Sequence, residues 1–441
     1  MSDHLVILAT LGTATLLMAW LPSISQRLRV SYPIIILLIG LLIYWFGIPL
    51  AGPTALDNDL QIMTISEAIV IISLMGGGLK IGRSFDWKKW VIPVRLIGIT
   101  MPLCLLAVLA AGYFWLGLPL AAAILLAAVM APTDPVLAAE VQLEGPEEIV
   151  KTDPGDDKGD ADHNAKEEQL MAKTEEGLIR FSITGEAGIN DGLAYPFTFM
   201  AILVFQAGSW EAFDFWAWLG DKFFLKILIG VAFGYAVGKL LGWLLVELPE
   251  TVHIRTRDGF IALSATLATY AFAELLHGYG FLAVFVTGLT LRYEERLHHE
   301  FKGRLHKFVE ETERLLLVLW LIFFGGAIFN GLLANVDWQI WVFAVILIFV
   351  VRPLAGLAAF AGLALPLRDR LPISYFGIRG IGSVFYLSWA FVQVPDFPMR
   401  DELYGIVGVV ILVSLVAHGL SAPFLSKWLG KYAERKPEVL D

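Results

Sequence analysis

The sequence predicts an all-α polytopic membrane protein with about thirteen spans, arranged as two halves of opposite orientation. Three observations lead there. The 441-residue chain is 57% hydrophobic with a mean hydropathy of +0.70, more apolar surface than a soluble core could hide. Its apolar runs recur at about 20 residues each, the length that crosses a hydrocarbon layer of about 30 Å. Its positive charges collect in alternate loops.

The first run, Leu5 to Leu21, has no Lys or Arg before it and no small-residue cleavage pattern, so it is expected to remain as a span. The spans are expected at roughly 5–22, 30–48, 61–79, 91–116, 118–142, 178–206, 223–246, 258–276, 278–291, 312–330, 338–362, 372–393 and 403–426. The ninth is short, and only Gly117-Leu118-Pro119 separates the fourth from the fifth. With the N-terminus outside, the cytoplasmic segments hold 26 of the 32 Lys and Arg, while the outer loops hold only Lys222 and Arg400. An even number of spans would spoil this bias, so the tail 427–441 is expected in the cytoplasm of a bacterial cell, under an inner membrane.

One cytoplasmic segment differs from the others. Glu144 to Glu176 carries twelve acids and four lysines, most of the chain's net charge of -10, and reads as a solvated insert. Asp160, Asp162 and Asn164 have the early spacing of a calcium loop. Ala165 stands where that loop needs glycine and Met171 where it needs glutamate, so no calcium site is expected. The single cysteine, Cys104, excludes an internal disulfide and any multi-cysteine metal site.

Spans 1–6 begin outside, spans 8–13 begin inside, and span 7 joins them, which is an inverted repeat. Span 5 then corresponds to span 12, and both are interrupted: Pro132-Thr133-Asp134-Pro135 in one, Gly377-Ile378-Arg379-Gly380-Ile381-Gly382 in the other. Paired breaks at matching positions point to a transport site, because lipid cannot satisfy the freed backbone groups.

A charge at mid-membrane costs about 2.5–3.5 kcal/mol, so each one needs a reason. Asp134 or Thr133 caps the half-helix expected from Pro135, or Asp134 offers a hard carboxylate to sodium or lithium. Span 6 carries Glu186, Asn190 and Asp191 within six residues. Glu186 and Asn190 share one helical face; Ala187 and Asp191, with Thr184 and Gly188, share the neighbouring one. Asp191 is expected to face span 5. Glu186 is expected to pair with Arg379 of span 12, since a buried arginine without a carboxylate is very costly. Arg352, near the cytoplasmic end of span 11, is expected to snorkel. Glu67 lies two turns into span 3, where it reads as a hydrated residue near the outer end or as part of the site; Glu274 lies near the outer end of span 8, and His418 is expected to bond between helices. An intramembrane aspartyl protease built on Asp134 and Asp191 needs a Gly-x-Gly-Asp context, and Asn190 precedes Asp191 instead.

Ala131-Pro132-Thr133-Asp134-Pro135-Val136 together with Asn190-Asp191-Gly192 resembles NhaP-type sodium/proton antiporters of the monovalent cation/proton antiporter superfamily. Further matches are Phe376-Gly377-Ile378-Arg379-Gly380, Arg352-Pro353-Leu354, and Val413-Ser414-Leu415-Val416-Ala417-His418-Gly419-Leu420-Ser421-Ala422-Pro423. The resemblance covers nearly all spans in order. It implies dimerisation helices in 1–80 and 258–330, a transport bundle in 91–206 and 338–426, a linking helix at 223–246, and a homodimer in the lipid. It implies exchange of sodium or lithium for protons, with potassium as the alternative cation. It implies no enzymatic reaction, no cofactor and no nucleic-acid partner. By matching positions, Asp134 and Asp191 would bind the cation and carry the proton, and Thr133 would offer its carbonyl. Asn190 would stabilise the crossing, Glu67 would reach the ion through water, and Glu186 would pair with Arg379. The single acid of Asn190-Asp191, where electrogenic relatives resemble an Asp-Asp pair, implies electroneutral exchange. The sequence departs from the family twice: Ala187 stands where serine is frequent, and the acidic insert is longer than the usual loop.

Overall fold

The computed structural model describes residues 30–47, 59–81, 87–134, 175–252, 258–297, 304–334 and 336–433, with scattered positions between 12 and 28. The first eleven residues, the span-5 continuation from Pro135, the acidic segment up to Thr174 and the tail from 434 lie outside the described residues.

Every regular element among the described residues is helical. We number them α1 (Tyr32–Trp45), α2 (Asp59–Lys80), α3 (87–115), α4 (Leu120–Met130), α5 (Glu175–Ala207), α6 (215–252) and α7 (Asp258–Leu275). There follow α8 (Gly280–Leu297), α9 (304–332), α10 (338–359), α11 (Leu367–Tyr375), α12 (Ile381–Gln393) and α13 (Arg400–Ala433). Local chemistry explains their ends. Pro33 sits in the first turn of α1, where its missing N–H is not needed. Asp59 opens α2 and Lys80 closes it, in the sense the helix dipole favours. Among the described residues seven helices are long and apolar enough to cross a membrane, and the shorter apolar helices include α1, α4 and α12. Their outward faces carry Leu106, Phe114, Trp216, Leu228, Trp338 and Phe349, exposed as lipid-facing side chains are.

The ninth span differs from its expected 278–291: α8 runs on to Leu297. Hydropathy ends at Arg292, but the helix continues because it packs along α6, where Lys239 meets Glu294. At the other end Glu274 accepts from the backbone N–H of Gly280 at 2.8 Å. That carboxylate therefore serves the first turn of α8.

Packing runs from α6 to α8, from α8 to α2, and from α2 to α9 and α12, while α9 also covers α1. Backbones meet where side chains are missing. A Cβ on Gly78 would lie 2.6 Å from the Phe285 carbonyl oxygen, and one on Gly288 would lie 2.8 Å from that of Met75. α4 is enclosed by α3, α5 and α12, and ten of its residues are buried.

Both expected interruptions are present. α4 ends at Met130 and the chain leaves helical geometry before Asp134. α11 ends at Tyr375, the backbone is non-helical through 376–380, and α12 starts at Ile381.

Candidate functional site

The two breaks touch. The Asp134 N–H donates to the Ile378 carbonyl at 2.8 Å, so one interrupted segment hydrogen-bonds the other. This supplies partners that lipid could not. The Gly382 N–H donates to Asp134 Oδ2 at 3.2 Å. Gly382 lies in the first turn of α12, so the Asp134 carboxylate sits at the positive end of that helix.

α5 brings three polar side chains to the same place. Asn190 clamps Thr133 from both sides: its Oδ1 accepts from the Thr133 N–H at 3.2 Å, and its Nδ2 donates to Thr133 Oγ1 at 2.9 Å. Asp191 is 1% exposed, and neither of its carboxylate oxygens has a hydrogen-bond partner. A Cβ on Gly382 would lie 3.1 Å from Asp191 Oδ1. Both carboxylates therefore converge on Gly382, and glycine there leaves room between them. The Tyr386 hydroxyl, one turn further along α12, donates to the Asp191 main-chain carbonyl.

Asp191, expected to face span 5, shares Gly382 of α12 with Asp134 of the span-5 break, and Asn190 touches that break directly. Thr184, on the expected site face, turns its hydroxyl back to the Arg180 carbonyl at 2.9 Å. Ala187 is fully buried.

The expected ion pair is corrected. Glu186 pairs with Arg352, not Arg379: Arg352 Nη2 donates to Glu186 Oε2 at 2.7 Å, and both side chains are buried. Arg352 does not snorkel. π-type turns over Leu347–Val351 precede it, and each uses extra residues, so a 3.6-residue wheel drawn through the span misplaces it. Gly377 makes the room, since a Cβ there would lie 2.1 Å from Arg352 Nε. Arg379 instead holds its own break together. Its Nη1 donates to the Gly377 carbonyl at 3.0 Å, and its backbone N–H donates to Ser414 Oγ at 2.9 Å.

His418 bonds between helices as expected: Nδ1 lies 2.8 Å from the Ser414 carbonyl and Nε2 lies 3.2 Å from that of Tyr375. Glu67 is not brought into direct contact with the aspartates. Its carboxylate accepts from the Tyr270 hydroxyl of α7, and Tyr195 of α5 lies 3.5 Å beyond, oxygen to oxygen. Sequence reasoning passed over Tyr386, whose only signal was a polar tip in an apolar run next to a break; Ser414 stood in a quoted motif with no role given to it.

An all-helical membrane chain in which two interrupted helices meet at buried carboxylates is a secondary transporter in architecture. Comparison narrows the class. The family description "Sodium/hydrogen exchanger, transmembrane" matches residues 13–152 and 171–428, and the chain belongs to that family. The unmatched stretch between them falls within the acidic segment.

The chain is 25% identical over 413 residues to the K(+)/H(+) antiporter NhaP of Alkalimonas amylolytica, covering 92% of this chain and 64% of that protein's length. It is 27% identical over 428 residues to the Na(+)/H(+) antiporter NhaH of Halobacillus dabanensis, covering 92% of this chain and 94% of that one. The solved structure of the sodium proton antiporter MjNhaP1 from Methanocaldococcus jannaschii at pH 8 superposes with a TM-score of 0.67. That match has 19% identity and covers 97% of this chain and 99% of that one, a likeness of fold.

Proposed function

We propose that this chain is a secondary antiporter that exchanges sodium, or lithium, for protons by competition at Asp134 and Asp191. One observation carries the reading: Asp191 is buried with both carboxylate oxygens unpartnered, opposite a second carboxylate across Gly382. A buried carboxylate without a partner is costly, and a proton or a cation relieves that cost. Each therefore displaces the other. Hard carboxylate oxygens suit a small monovalent cation, and the Thr133 carbonyl would add one more oxygen. Asn190 fixes Thr133, and Glu67 acts on the ion from a distance, in concert with Tyr270.

The transport bundle would be α3, α4, α5 and α10–α13, moving against α1, α2 and α7–α9, which would also form a homodimer in the lipid, with α6 as the linking helix. Only the loaded forms would cross readily, because an empty site with two charges is expensive within a membrane. The reading places the protein in a bacterial inner membrane, N-terminus outside and C-terminus in the cytoplasm, in the service of pH homeostasis. The 25% identical K(+)/H(+) antiporter supports potassium as the alternative cation.

The test is cation-driven proton flux in proteoliposomes of the purified protein. Sodium is expected to drive it in the wild type. Asp191→Asn should abolish it and Asp134→Asn should impair it severely, with both variants folded. Normal flux in either variant at saturating sodium would remove the assignment.

A further inference from the structure

Glu313 of α9 is a buried carboxylate that the exchange site described above does not use. It is 4% exposed and packs against α2. Its Oε1 accepts from Ser73 Oγ at 3.0 Å. Its Oε2 has no hydrogen-bond partner and lies 3.2 Å from where a Cβ on Gly76 would stand. Ser73, Gly76 and Lys80 share one face of α2, so the carboxylate lies along a polar stripe that ends at Lys80.

Two further relations tie this stripe to the site. Glu313 lies within electrostatic range of Lys80, Glu310 and Asp134. The adjacent face of α2 reaches the site helix through one ring: Gly77 backs Phe285, and Phe285 in turn fills the place of a Cβ on Gly188 of α5. At the Lys80 end stand Arg292 of α8 and His306 of α9, both buried, with His306 Nε2 at 3.4 Å from Glu310 Oε2. Burial holds the His306 imidazole below its usual range.

We propose that Glu313 is a further ion-handling residue of the exchange. It is a carboxylate that receives the monovalent cation or the proton arriving from the Lys80 end of α2 before the aspartates do. Its unpartnered oxygen offers one hard ligand, too few to trap a cation. Conduction needs such a station, because binding must be favourable enough to enter and weak enough to leave. The proposal rests on the antiporter reading above.

A purely structural role, pinning α9 to α2 through Ser73, makes different predictions. Glu313→Gln keeps an acceptor for Ser73 and removes the charge. Ser73→Ala removes the bond and keeps the charge. The full-length protein is assayed for sodium-driven proton flux in everted and in right-side-out membrane vesicles, each variant over a pH series. Glu313→Gln is expected to raise the half-saturating sodium concentration roughly three- to tenfold in one vesicle orientation only, the effect of losing one partly screened charge on the approach. The pH profile should shift in that orientation alone.

Ser73→Ala is expected to stay close to wild type. Glu313→Asp, which keeps the charge on a shorter arm, is also expected to do so, and it decides the matter if Glu313→Gln does not fold. The proposal is overturned by an unchanged Glu313→Gln, by an equal shift in both orientations, by the same shift in Ser73→Ala, or by a charge-retaining Glu313→Asp that behaves like a loss. Absence of sodium- and potassium-driven flux in the wild type would instead overturn the antiporter reading itself.

Discussion

Removing Glu186 tests the assignment of Arg352 as its partner. The pair is joined at 2.7 Å, with the two side chains 2% and 3% exposed, so solvent screens it little. Two unit charges about 4 Å apart at an effective dielectric of about 20 attract by about 4 kcal/mol. Deleting one partner leaves the other buried and uncompensated, at a cost of about 3–5 kcal/mol. Glu186→Leu alone and Arg352→Met alone should each lower the free energy of unfolding in mixed micelles by that order. The double variant should recover most of the loss, because two apolar side chains replace a buried pair at little net cost. The coupling energy should therefore approach 3 kcal/mol, against less than about 0.5 kcal/mol for independent sites. Glu186 with Arg379 should couple more weakly, since Arg379 donates to the Gly377 carbonyl. An equal or larger coupling for Glu186 with Arg379 would refute the assignment.

Three further outcomes are expected. Gly377→Ala places a methyl 2.1 Å from Arg352 Nε and should destabilise by about 1–3 kcal/mol, read as a lowered thermal midpoint; an unchanged midpoint would mean that Arg352 approaches along another path. Deleting Asp153 to Lys173 should leave flux intact at high ionic strength and weaken apparent cation affinity only at low salt, where the negative segment concentrates cations; loss of folding would contradict a solvated insert. Exchange should be electroneutral, because Asn190 is uncharged in both states; with a valinomycin-clamped potential, about 2.3 kcal/mol per charge per 100 mV is available, so acceleration or reversal with its sign would contradict one-for-one exchange.

The reach of the sequence differs from residue to residue. Pro132 to Asp134 and Gly377 to Gly382 announce the breaks locally, because no side-chain context restores helical bonding at such clusters. The structure puts the interruptions there and joins them through Asp134 and Ile378. The three polar residues of α5 are equally plain in an apolar run, yet their partners are not. Asn190 clamps Thr133 in one break while Asp191 lies against Gly382 at the start of the other, and Glu274 serves the first turn of α8.

By itself, then, the sequence determined that the chain is all-helical and membrane-spanning, where two of its helices break, and which carboxylates are buried at the breaks. Each follows from hydropathy, charge and backbone chemistry within a few residues. Only the tertiary structure decided that Arg352 and not Arg379 meets Glu186, that Tyr386 holds the Asp191 backbone, and that Glu313 of α9 meets Ser73 of α2. Those meetings depend on how helices far apart in the chain rotate and cross. The glycines at 76, 377 and 382 determine how closely they approach, and no local periodicity encodes that.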